Sequence, residues 1–139
     1  MLVTANTVTS INAVYYPNWR IYKGQAPASL PLNLVTHVFY AFAWVKPSGE
    51  VHLSDPWADT QLDVDDSEGC LRSFEQLKVE HDHLKVILSI GGGGKGSENF
   101  AVATSSIEGR ERFAATAKAL VDEFGLDGID SHSLPASGT

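Results

Sequence analysis

The chain has 139 residues, enough for one domain with a core of its own. Its formal net charge of −7 excludes nucleic acid as a partner, because neutralising phosphates requires clustered Lys and Arg. Cys70 is the single cysteine, so no disulfide can form within the chain and none can staple the fold.

Read from the start, Met1 to Ser10 has neither a basic beginning nor an apolar run, so it is not a secretory signal, and as given the chain reads as cytoplasmic. No run of about 18 apolar residues occurs, so no membrane-spanning helix and no membrane partner are expected. Ile11 to Tyr16 is the first short apolar run, and Pro17 stops it. The connection from Asn18 to Val35 is irregular, with a weak helical period at Leu30 to Leu34. Thr36 to Ala43 is a second strand, rich in aromatic and β-branched residues.

A helix is expected over Gly69 to Val79, where Cys70, Phe74 and Leu77 with Leu71 form one apolar stripe. Lys85 to Ile90 is a third strand and runs into four glycines. A longer helical stripe follows over Ile107 to Phe124, marked by Phe113, Ala117, Leu120, Val121 and Phe124. Ser105 to Glu108 reads as its capping box, and Gly125 suits the left-handed residue beyond its end. Leu126 to Asp130 is the fourth strand. The small polar tail Ser131 to Thr139 reads as a loop or as disordered. Strands of near-continuous apolar character alternating with helices build a parallel sheet, so the fold class is α/β.

Four motifs invite chemistry. Gly91, Gly93 and Gly96 satisfy G-x-G-x-x-G, but they follow the third strand and meet Ser97-Glu98-Asn99, so a dinucleotide site is not expected. Gly94-Lys95 is followed by Gly96, which fails the phosphate-loop pattern. His81-x-His83 is too sparse for a metal site and reads as a solvated helix end. The fourth motif is the pair Ser89-Ile90-Gly91-Gly92 and Asp127-Gly128-Ile129-Asp130, each at the end of a buried strand.

That pair resembles glycoside hydrolase family 18, the chitinases, whose third strand ends Ser-x-Gly-Gly and whose fourth runs Asp-x-x-Asp-x-Asp-x-Glu. The resemblance spans residues 11–130 and includes the aromatic strand ends Tyr15-Tyr16 and Tyr40-Ala41-Phe42, and the loop Gly49 to Thr60 of fungal members. It implies the N-terminal half of a (β/α)₈ TIM barrel, since a whole barrel takes roughly 250 residues. Asp127 and Asp130 match the first two motif aspartates. His132 stands where the central aspartate belongs, and Leu134 where the acid glutamate belongs.

By the same resemblance Ser89 would bond Asp130, Gly91 and Gly92 would let backbone approach the sugar, and Tyr16 and Phe42 would floor the subsite beside the cleaved bond. No cofactor is implied. The ligand would be chitin or N-acetylglucosamine oligomers, held weakly if at all. Leucine cannot donate a proton, so a truncated, inactive hydrolase is expected. A non-catalytic chitin-binding protein and a half-barrel that pairs with itself or with a complete barrel stand as alternatives. Half a barrel leaves its first and fourth strands unpaired, which invites homodimerisation. Members of the family are often secreted, which leaves the compartment open.

Overall fold

The computed structural model describes residues 10–91 and 98–132. Strand β1 (Ala13–Pro17) is followed by two 3-10 turns, Asn18–Lys23 and Pro27–Ser29. The first turn ends on Gly24, whose φ of 75° lies in the left-handed region, and whose amide bonds the carbonyl of Ile21. The helical hint at Leu30 to Leu34 is not realised: the segment runs through turns, with Leu34 N–H bonding Pro31 O.

Strand β2 (His37–Val45) lies parallel to β1, in register from Ala13 opposite His37 to Pro17 opposite Ala41. It extends two residues beyond the sequence expectation because it folds back on β3 (Val51–Leu53), an antiparallel pair that begins with Val45 opposite Val51. A one-turn π-helix (Trp57–Gln61) then leads to the ribbon β4 (Asp63–Val64) and β5 (Ser67–Glu68). Asp65 and Asp66 between them both have positive φ, at 51° and 64°, the conformation that suits a two-residue hairpin. Aspartate tolerates it better than most residues.

Helix α1 (Gly69–Glu80) matches its predicted span to within a residue and precedes β6 (Lys85–Gly91), which is parallel to β2. The short α2 (Phe100–Ala103) precedes α3 (Ile107–Phe124). The cap of α3 is Ser106 rather than Ser105: Ser106 Oγ accepts from Gly109 N–H at 2.9 Å, while Ser105 Oγ donates to Val102 O at 2.7 Å. Gly125, φ 62°, closes that helix as expected. The last strand, β7 (Gly128–His132), is parallel to β6 and runs through Ser131 and His132, which the sequence assigns to a loose tail. Residues 133–139, Leu134 among them, and Gly92 lie outside the described residues.

The main sheet therefore runs β1-β2-β6-β7, all parallel, with β3 hairpinned onto β2. It is an open arc of four barrel-type strands: β1 and β7 are its outer strands and the barrel is not closed. One face carries the core. Tyr16, Val38, Tyr40, Val86 and Leu88 alternate out of their strands toward Cys70, Leu71, Phe74 and Leu77 of α1. The rings of Tyr16 and Tyr40 meet Phe74 edge-on, at 5.3 Å and 5.9 Å between centroids. Each such large side chain contributes about 1.5–3 kcal/mol by leaving water, which makes this layer the main stabilising element. Cys70 is free and buried within it, and its thiol is pushed up to about 11, chiefly by burial.

Candidate active site

Parallel sheets of this kind place their chemistry at the carboxyl ends of the strands. One row of the sheet reaches that end in register: Pro17, Ala41, Ser89 and Asp130. Ser89 is fully buried, and its Oγ donates to Asp130 Oδ2 at 3.1 Å, which ties β6 to β7. This is the hydrogen bond that the motif pair implies. Asp130 itself is half-buried, so its carboxylate is held at one oxygen while the side chain keeps access to solvent.

Two residues back from Pro17 on the same face is Tyr15, 48 % exposed, with its ring stacked on Phe39 at 5.1 Å. Burial first, and then the negative charge of Asp130, raise the Tyr15 phenol above its ordinary value. Tyr15 and Asp130 thus share one concave face. Sequence reasoning singles out Tyr16 instead. The structure overturns that choice: Tyr16 is 0 % exposed, its hydroxyl donates to Gln25 O at 2.6 Å, and its ring lies in the helix-facing core. The reason is parity. Successive strand residues point to opposite faces, and only the register against β7 says which of two adjacent tyrosines shares a face with Asp130.

Phe42 stands at the carboxyl end of β2, in the irregularity between Ala41 and Ala43 where the pairing with β6 shifts by a residue. It is half-buried and is preceded by a cis peptide bond. Gly91 ends β6 with φ 117°, a conformation that a side chain would strain, and pairs with His132. Gly91 is therefore placed at the same end as Asp130, and the backbone of His132 lies one step beyond Ser131 on β7.

Asp127 is elsewhere. It lies at the amino end of the sheet, where its Oδ2 accepts from Val86 N–H at 2.8 Å and pairs with Lys78 Nζ at 2.6 Å. Its own N–H donates to Val86 O at 2.8 Å. It is three steps along the chain from Asp130, about 10 Å at 3.3 Å per residue. The two motif aspartates therefore do not converge: Asp127 clamps α1 to the sheet, and Asp130 faces the candidate site.

The remaining candidates are plain. His83 Nε2 bonds Leu32 O at 2.9 Å, and its ring meets that of His81 edge-on. No group of three metal-ligating side chains occurs among the described residues, and no helix among them is long and apolar enough to cross a membrane. Chemically, the described site offers a positioned carboxylate and a phenol on one open face. Such a pair can accept hydrogen bonds and hold a developing positive charge.

Known proteins share this sequence and fold. The chain is 38% identical over 139 residues to chitinase 1 of Aphanocladium album, covering 92% of this chain and 33% of that protein. The crystal structure of the Ostrinia furnacalis group IV chitinase superposes with a TM-score of 0.75 at 30% identity, over 87% of this chain and 32% of that one. A chitinase from Cycas revoluta, solved in complex with (GlcNAc)3, shares the fold at a TM-score of 0.75 and 24% identity, over 91% of this chain and 34% of its own. The chain thus spans about a third of the length of these relatives. Residues 11–132 match the model of the glycosyl hydrolases family 18, and the chain belongs to that family.

Proposed function

We propose that this chain is the sugar-facing, acid-less first half of a chitinase-type hydrolase: it meets β-1,4-linked N-acetylglucosamine polymers but does not cleave them alone. The Ser89–Asp130 hydrogen bond at the carboxyl end of the sheet carries this reading. In the substrate-assisted chemistry of the family, a glutamate protonates the glycosidic oxygen while the N-acetyl carbonyl attacks the anomeric carbon. Aspartates behind it stabilise the cyclic cation. Asp130 supplies the outer member of that relay, held by Ser89, and Tyr15 extends the same face. Leu134 and His132 occupy the sequence positions of the acid and the central aspartate, so neither the proton nor the inner carboxylate is available. A general acid alone is worth about 10²–10⁴-fold in rate. The test is turnover of a soluble fluorogenic chitooligosaccharide by the purified chain, beside retention on chitin beads. Retention without turnover is the expected result, and turnover above the blank would refute the assignment.

A second reading is favoured by the strand order, which leaves β1 and β7 as outer edges. A two-fold axis along the strand direction would pair β7 of one copy with β1 of the other, keep every strand parallel and bring the total to the eight strands of a closed barrel. Light scattering on the eluting chain should then give twice the 15.0 kDa monomer mass. A monomer at all concentrations would remove this reading.

A further inference from the structure

Among the described residues, the one buried carboxyl group that the sugar-facing site does not use is Asp59, in the π-turn Trp57–Gln61. It is 0 % exposed and is reached by donors from two other parts of the fold. Asn18 Nδ2, directly after β1, donates to Asp59 Oδ1 at 3.1 Å, and the Tyr40 hydroxyl of β2 donates to the same oxygen. Oδ2 accepts from Asp55 N–H at 3.2 Å. Asn18 also donates to Ser54 Oγ at 3.0 Å, so the turn, its preceding loop and the end of β1 are joined through one carboxyl group.

Among the described residues no cation pairs with it. Its hydrogen-bond partners among them are Asn18, Tyr40 and the Asp55 amide. The titratable groups around it are the Asp55 carboxylate four residues before, Tyr22 on the first 3-10 turn, Tyr40 on β2 and Cys70 on α1. Arg20 and Lys23 of that 3-10 turn and Glu68 of β5 are exposed, with Arg20 bonding Gln25. Arg72 of α1 is engaged by Glu75 and Glu123.

We propose that the Trp57–Gln61 turn is a proton-held latch, in which neutral Asp59 keeps the turn packed against α1 and the first 3-10 turn and ionised Asp59 favours its release. A charge with no counter-ion is costly to hold out of water, and release of the turn hydrates it. Burial, working against the three donated hydrogen bonds, pushes the Asp59 carboxyl up to about 6 from an ordinary 3.8. Any opening that returns it to water is therefore coupled to proton loss. The turn carries Trp57 and touches the 3-10 turn that carries Trp19 and Tyr22, and all three rings are about half exposed, so release of the latch would move exposed aromatic surface. Tyr22 belongs to the same network through its bond to Asp55 Oδ2 at 2.7 Å.

Amide exchange on the intact chain tests this. The reporters are the N–H groups of Asp59 and Leu62, bonded to Asp55 O and Trp57 O at 2.8 Å each, referenced to amides of β6 and corrected for intrinsic rate. Their protection is expected to fall roughly 30-fold between pH 4.5 and 7.5, while β6 follows global stability. Asp59→Asn keeps the packing and cannot titrate, so its turn protection should be flat with pH. Tyr40→Phe keeps the ring and removes a donor that favours the charged form, so its midpoint should move to higher pH. Equal protection of the wild-type turn at both pH values, pH dependence that survives in Asp59→Asn, or an unmoved midpoint in Tyr40→Phe would each overturn the latch.

Discussion

Tyr15 and Tyr16 are neighbours in the chain and stand on opposite faces of the sheet: Tyr15 stacks on Phe39 over the open face, and Tyr16 packs edge-on against Phe74 beneath it. The two should separate binding from stability. Tyr16→Ala removes a fully buried ring and its hydrogen bond to Gln25 O, and should cost about 3–5 kcal/mol. Tyr15→Ala removes a half-exposed ring, so the stability cost should stay near or below about 1 kcal/mol while retention on chitin falls. Urea unfolding and bead retention, run on both variants, measure the separation. A Tyr16 variant that is stable but loses retention would reverse the assignment of faces.

The two aspartates of the motif separate in the same way. Asp127 holds Val86 N–H and Lys78, so Asp127→Ala leaves one partly buried amide and one half-buried ammonium without that acceptor. The expected loss is about 1–3 kcal/mol of stability, with retention on chitin unchanged once the protein is folded. Asp130→Ala should lower retention on chitin even in the folded protein. It also leaves the buried Ser89 hydroxyl without its acceptor, about 1–3 kcal/mol, so it is retention of the folded protein rather than the urea midpoint that separates the two variants.

Much of this was legible before the structure. The four parallel strands, α1, α3 and the Ser89–Asp130 bond follow from apolar runs, helical stripes and one motif pair. Three things were not. The face of Tyr16 depends on register, which a continuous apolar run does not display, because alternation is hidden when both faces are apolar. The place of Asp127 depends on where β7 begins, and the chain reads Asp127 and Asp130 as one motif although Gly128 and Ile129 of the strand divide them. The extension of β7 to His132 depends on pairing with Gly91, a long-range contact that outweighs the weak strand character of Ser131. Asp59 carried no signal beyond its loop, since nothing local says that an aspartate flanked by Ala58 and Thr60 will be fully buried.

Gly69 opens α1 with φ 87°, and a Cβ built there would lie 2.3 Å from Asp59 O. Both the backbone conformation and the contact require glycine at this position. Gly69→Ala should destabilise by more than about 1 kcal/mol, and should do so by pushing the Trp57–Gln61 turn off the helix. Thermal unfolding gives the size of the loss. Faster exchange at Leu62 than at β6 in the same variant gives its location, and uniform loss across both would argue for a general effect instead.

Asp59 also sets a direction for global stability with pH. Its folded value, about 6, is raised above the ordinary 3.8 by burial, so the folded chain binds the proton more tightly than the unfolded one. The contribution is fully present below about pH 3.8 and is lost as pH rises through 6. A shift of this size corresponds to about 3 kcal/mol between the two limits. The informative quantity is the difference between wild type and Asp59→Asn, which isolates this one group. That difference should move in favour of the variant from pH 4 to pH 8, by about 2–3 kcal/mol, in paired urea titrations. A constant difference across the range would mean that Asp59 is ionised in the folded chain at both ends, with the three hydrogen bonds it accepts outweighing its burial.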